Sequence, residues 1–360
     1  MDKTVVVALV AGCVSLVVTT LGLIFNPLAQ RRLQQQKAAI YAELAEAKLG
    51  YDRQFADLKA RLDDGVAERK AQRDYEYEAR KKLYAQIEPL MLQVGFAAEN
   101  CFDRVANLAL IAGKGYLEPG PSSWLVPKIE GHRYYLDSTL YRVLVPLGFF
   151  EIVRSKTTQL DFKLDPRLDS LFRVMRQHYR LWAAEFAFAE AEPKLAYMPY
   201  APEAETEHER APQRYRRQGV ALGRVDKIAA AMVVAGDGGA LRVRRLGEFE
   251  SEWASKQGTL WEAARPFYAL FDGFRPDIVP VLWRILCAQA CLAYAIRRLV
   301  MHGETRDAIA IVRDFCRDKR SHARFALSLD DAGATAAGTD FAAIEHVLVR
   351  ALQERDLLDA

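Results

Sequence analysis

The sequence predicts an all-α protein carried on one N-terminal transmembrane helix and a long charged stalk. Three observations predict it. The chain opens with an uncharged apolar run. A proline-free stretch of strong helix formers follows. The apolar residues of the remainder recur at helical rather than alternating spacing.

Val5 to Phe25 is 21 residues without a charge. At about 1.5 Å per residue it spans roughly 30 Å, the hydrocarbon thickness of a bilayer. A cleaved signal has an apolar region of roughly 7–15 residues and then a small-x-small site. Here the run is longer, and Asn-Pro-Leu-Ala-Gln-Arg-Arg follows it. The segment 1–30 therefore reads as a retained single-pass anchor. Only Lys3 precedes it, offset by Asp2, while Arg31, Arg32 and Lys37 follow. The positive-inside bias puts the N-terminus outside and the C-terminal part in the cytoplasm, at a cell inner membrane. Within the span, Ala8, Gly12, Ser15, Thr19 and Gly22 recur at spacings of 4, 3, 4 and 3. Such a stripe of small side chains lets membrane helices approach closely, and it predicts a homo-oligomer.

Residues 31–84 read as an amphipathic or coiled-coil stalk. No proline lies between Pro27 and Pro89, and Ala, Glu, Lys, Gln, Arg and Leu dominate. Apolar positions run Leu33, Ile40, Leu44, Ala47, Tyr51, Phe55, Leu58 and Leu62. Their spacing drifts from a strict heptad toward 3.6, and Lys37, Gln54 and Arg61 occupy heptad core positions.

Residues 85–355 read as an α-helical cytoplasmic domain, which a loop near 192–220 divides. The chain balances 50 basic against 47 acidic residues, which argues against a dedicated nucleic-acid surface while leaving room for a local basic patch. Half of it is hydrophobic, enough for a large core. Helices are expected from "KKLYAQIEPL" to Gly113–Gly115 and over "RYYLDSTLYRVLVPLGFFEIVRSK", where Pro146 and Gly148 suggest a kink or a break. A further helix, "PRLDSLFRVMRQHYRLWAAEFAFAEAE", sets Leu171, Met175, His178, Trp182 and Phe186 on one face. The next, "VPVLWRILCAQACLAYAIRRLVMHG", ends at Gly303. After it, "TRDAIAIVRDFCRDKRSHARFAL" has Thr305 as candidate N-cap, and the last helix starts after Asp340. One short hairpin fits "AMVVAGDGGALRVRRL". The body carries no internal repeat.

Phosphate-binding loops and nucleophile elbows are absent from the sequence, and no cofactor is called for. The five cysteines suit a reducing compartment. Cys287 and Cys291, four apart on a helix, read as buried packing rather than as metal ligands.

An arginine precedes a histidine by five residues three times: Arg173/His178, Arg297/His302 and Arg317/His322. This Arg-x4-His pattern on helices resembles the signature of HEPN domains, all-α modules of which many are metal-independent ribonucleases and some act in phage defence. The resemblance implies a His as general acid/base beside an RNA 2′-hydroxyl and an Arg on the scissile phosphate. Arg317/His322, with Asp318 after the Arg, matches it best. Arg297/His302 is second. His178 sits on an apolar stripe, where a core role is expected. The overall plan also resembles bacterial single-span proteins with a charged stalk and a helical cytoplasmic domain, among them membrane-anchored accessory proteins of bacterial immunity. Two functions follow as expectations. One is a membrane-anchored scaffold or effector that self-associates and binds a protein partner. The other is a membrane-tethered ribonuclease acting on RNA.

Overall fold

Helix α1 runs from Lys3 to Gly113. Its composition of good helix formers accounts for its length, and the helix continues through Pro27 and Pro89. The computed structural model describes residues 3–118, 123–125, 132–157, 160–195, 197, 216–325 and 340–353. These divide into two units, Met1–Tyr75 and Glu76–Ala360.

The first unit is helix α1 up to Tyr75, and its described apolar side chains, Val7, Leu16, Leu44 and Phe55 among them, are exposed. Lys3–Leu23 has a mean hydropathy of 2.4 and is long and apolar enough to cross a membrane.

The second unit is predominantly helical, with burial starting at Leu83. Helix α2 (His132–Lys156) passes through Pro146 as one helix, contrary to the break that Pro146 and Gly148 suggested. Gly148 serves a different purpose: a Cβ there would lie 3.0 Å from the Met232 Cβ and 3.2 Å from the Val243 methyls, so its hydrogen permits close packing. Helix α3 (Pro166–Arg180) starts cleanly because Asp165 accepts from the backbone N–H groups of Arg167 and Leu168 and Pro166 takes the first turn. The Tyr84 hydroxyl donates to the same carboxylate at 2.6 Å, tying α1 to this cap.

The stripe expected on α3 holds for Leu171, Met175, His178 and Trp182, all buried. It fails at Phe186, which is half exposed. A 3-10 turn at Leu181–Ala183 and a non-helical Ala184 reset the phase before helix α4 (Glu185–Glu190) begins.

Helix α5 (Leu222–Ala231) leads into the hairpin of β1 (Val233–Ala235) and β2 (Leu241–Val243), antiparallel with Val233 opposite Val243. Its turn uses Gly238 and Gly239 at φ 71° and 80°. Helices α6 (Leu246–Ser255) and α7 (Gly258–Phe271) then pack through Trp253, Trp261 and Tyr268.

Helix α8 (Pro280–Met301) is buried over most of its length. It ends as expected, with Gly303 at φ 61° just beyond it. Helix α9 (Ala308–Arg317) begins after Asp307, so Thr305 is not its N-cap. It also stops at Arg317: Asp318 is extended and starts a separate short helix, α10 (Lys319–His322), by accepting from the Arg320 N–H. The final helix, α11 (Phe341–Gln353), is capped by Asp340, which accepts from the Ala342 N–H at 2.9 Å. Helices α3, α4, α9 and α11 all touch α8.

The approach of the 216–220 segment to α4 tolerates no side chain at Gly219. A Cβ there would lie 2.7 Å from the Trp182 carbonyl oxygen and 2.5 Å from the Glu185 carboxylate. Gly219→Ala is therefore expected to cost about 1–3 kcal/mol of stability, measured by denaturant unfolding against wild type.

Candidate functional site

A cleft of about 630 Å³ opens between the α3–α4 segment and α11. Its apolar lining comes from Leu181, Ala184, Ala187 and Ala191 on one wall and Ala343, Val347 and Ala351 on the other. Helical spacing explains the far wall, since Ala343, Val347 and Ala351 lie four apart on one face of α11. The Gln177 amide, mostly buried, donates to the Ala351 carbonyl at 2.7 Å and pins α11 to α3.

Charge is distributed along this cleft by position in sequence. Arg180 closes α3 and Arg350 lies near the end of α11. Glu190, Glu192 and Asp340 lie at the end of α4 and the start of α11. Nearby, Arg284 of α8 is buried and donates to the carbonyls of Phe188 and Pro193 at 2.7 Å and of Ala191 at 3.2 Å. Burial lowers its pKa, and the negative charges of Asp340 and Glu192 act against that. No Ser, Thr, Cys or Tyr is among the described residues that line the cleft, and His346, exposed, is their one imidazole. The volume falls in the roughly 300–1,000 Å³ range of small-molecule pockets, and the cleft combines an apolar wall with a charged rim.

The Arg/His pairs are placed as follows. Arg317 is the last residue of α9 and donates to Glu345 of α11 at 2.9 Å. His322 ends α10, on the far side of the break at Asp318; its side chain lies outside the described residues. The single helix expected to carry this pair is thus two helices. Arg297 of α8 pairs with Glu99 of α1 at 3.5 Å, while His302 is exposed at the helix end. Five residues turn about 140° around a helix axis, so Arg297 and His302 do not share a face.

His178 is a core residue, as its stripe implied. It is fully buried against Cys101, with the Cys101 Sγ 3.9 Å from its Nε2, among Val94, Pro146, Phe149 and Ile296. Burial holds its pKa down at about 4 and pushes the Cys101 thiol up to about 12. Cys287, Cys291 and Cys316 are also buried free thiols, with the Cys291 and Cys316 sulfurs 3.9 Å apart, and burial raises the Cys287 and Cys291 pKa values well above the usual range.

Sequence reading passed over Arg284 and the cleft. Arg284 had a signal: it is the one charge in the apolar run "VPVLWRILCAQACLAYA". The cleft had none, since its alanines are ordinary helix residues and its walls lie about 150 residues apart in the chain.

The fold and cleft define a class: a predominantly helical protein with one N-terminal apolar helix and a charged-rim cleft in its second unit. Compared with known protein families, curated proteins and solved structures, the chain matches none.

The depressed His178 pKa fixes a pH dependence. The unfolded chain binds a proton near pH 6.5 that the fold resists until about pH 4. Stability is full above pH 6.5 and falls as pH drops from there to 4, by about 3 kcal/mol in all. His178→Leu should flatten that slope in denaturant titrations at pH 7, 6, 5 and 4. An unchanged slope would assign the acid sensitivity to other groups.

Proposed function

We propose that this chain is a membrane-anchored helical scaffold or effector of the bacterial inner membrane that self-associates and binds a protein partner. The observation that carries the reading is the exposure of the Lys3–Leu23 helix. None of its apolar window is buried in protein, and Val7, Leu16 and Leu23 are each about 70% exposed. A buried core helix would be covered. Leaving such side chains in water forgoes roughly 1.5–3 kcal/mol for each, and a bilayer core of about 30 Å removes that penalty. Arg31, Arg32 and Lys37 on the C-terminal flank favour a cytoplasmic second unit.

Self-association is supported by the small-residue stripe. A Cβ at Gly12 or Gly22 would meet nothing within 4 Å, so neither glycine is required by its own helix. Binding is supported by the cleft, which offers apolar surface beside charges of both signs.

Two experiments test the reading. A cytoplasm-active reporter fused after Ala360 should be active and a periplasm-active one silent; the reverse overturns the orientation. Replacing Gly12 and Ser15 together with Ile should leave the chain in the membrane fraction but lower its oligomeric mass in mild detergent, because bulky side chains hold the helices apart. Unchanged assembly would remove the stripe from the interface.

A further inference from the structure

The exposed helix beyond the anchor contains a repeat that a heptad reading obscures. Residues 33–76 divide into four successive eleven-residue units: LQQQKAAIYAE, LAEAKLGYDRQ, FADLKARLDDG and VAERKAQRDYE. The first position is Leu33, Leu44, Phe55 and Val66. The fifth is lysine in all four, at 37, 48, 59 and 70. The eighth is apolar in three, Ile40, Tyr51 and Leu62, and the ninth is aspartate in the last three. Eleven residues make three turns at about 3.67 residues each, so on an α-helix of about 3.6 residues per turn the first and eighth positions form one stripe that drifts by only about 20° per unit.

All of these apolar side chains are exposed, from 53% at Leu33 to 73% at Tyr51. No part of the described chain covers them. The band is narrow: the fifth-position lysines flank it on one side, and Glu43, Gln54 and Gly65 at the eleventh position flank it on the other. A helix lying on lipid needs a wider apolar face, whereas two positions per repeat is the width of a helix–helix seam.

We infer that Leu33–Val66 is a self-association seam that pairs in parallel and in register with the same segment of a second copy, winding with right-handed rather than left-handed sense. The second copy is the occupant because the seam repeats by translation: a copy at the same height presents the matching face in every unit. The parallel direction rests on the anchored reading, since two chains held in one membrane point the same way. With Leu58 added from the fourth position, eight apolar side chains per copy meet. At roughly 60–120 Å² each they bring together about 500–1,000 Å² a side, which brackets the roughly 800 Å² a side of a stable interface. The eleven-residue period gives the hand, because a stripe recurring more slowly than every 3.6 residues drifts opposite to a heptad.

Disulfide trapping of the full chain in native membranes tests this. Cys13→Ser removes the exposed cysteine and leaves four that are buried. Single cysteines are then placed at Leu44, Tyr51, Phe55 and Leu62, at Gln54 and Arg61, and at Glu46 and Asp57. All are exposed sites, so the fold is undisturbed. Dioxygen with a copper catalyst oxidises paired thiols only where Cα atoms come within about 7 Å. Linked dimers are expected at 44, 51, 55 and 62 and lost at 46 and 57. Dimers at 54 and 61 in place of 55 and 62 would overturn the eleven-residue seam in favour of a heptad. Dimers at one position alone would overturn the parallel register. If the chain is in the membrane fraction and no position links, the seam fails while the anchored reading stands. Recovery of the chain in the soluble fraction instead overturns the anchored reading, and the parallel assignment with it.

Discussion

Helix α8 has no polar face, and the second unit is organised around that constraint. Seventeen of its residues are buried, among them Trp283, Leu286, Cys287 and Leu292. A helix apolar on all sides must be surrounded, and α3, α4, α9 and α11 surround it. The same constraint makes Arg284 consequential. A guanidinium in that setting must be hydrogen-bonded or it costs several kcal/mol. Its partners are the carbonyls of Phe188, Ala191 and Pro193, which no helix satisfies because α4 ends at Glu190. The buried cation and the unpaired carbonyls meet each other's needs. The segment they hold carries Ala191 and Glu192 into the cleft.

How much of this was legible depends on whether the information was local. Helix α8, its Gly303 terminus, the Asp340 cap and the hairpin follow from periodicity and turn chemistry, and the structure reproduces them. The departures occur where tertiary contacts overrule local preference. Proline inside α2 is tolerated because that helix is packed along its length, and Gly148 is a close-packing position rather than a hinge. Phe186 leaves its stripe because a 3-10 turn shifts the phase by a fraction of a turn, which a 3.6-residue template cannot register. In sequence, Asp318 falls inside the Arg317/His322 pattern. Its side chain accepts from the Arg320 N–H and the Ser321 hydroxyl, so it starts a helix instead of continuing one. The cleft was illegible because its walls meet only after folding.

The near balance of charge is spent on pairs. Arg275 reaches both Glu118 and Asp277, Arg306 reaches Glu304 and Asp314, Arg242 holds Glu248, and Arg244 holds Glu252. Several of these side chains are partly buried, Arg244 and Arg275 among them, while those that remain exposed contribute little stability each. Their effect is on what else the arginines can bind. Arg297 and Arg317, the two that a phosphate-cleaving reading requires, are already opposite Glu99 and Glu345. A phosphodiester at either site must displace a carboxylate.

The two stripes of the first unit bear on each other. Ala8, Gly12, Ser15, Thr19 and Gly22 recur on average every 3.5 residues or so, while the seam from Leu33 to Val66 recurs about every 3.67. An α-helix turns every 3.6 residues or so, between the two. Copies that pair through both stripes wind left-handed within the membrane and right-handed beyond it, and the twist has to reverse between Gly22 and Leu33. That interval holds Asn26 and Pro27. Proline supplies no N–H to the helical ladder and loosens it over one turn. If copies pair through both stripes as proposed, the proline lies where the two windings would meet and accommodates the reversal more cheaply than an unbroken ladder would.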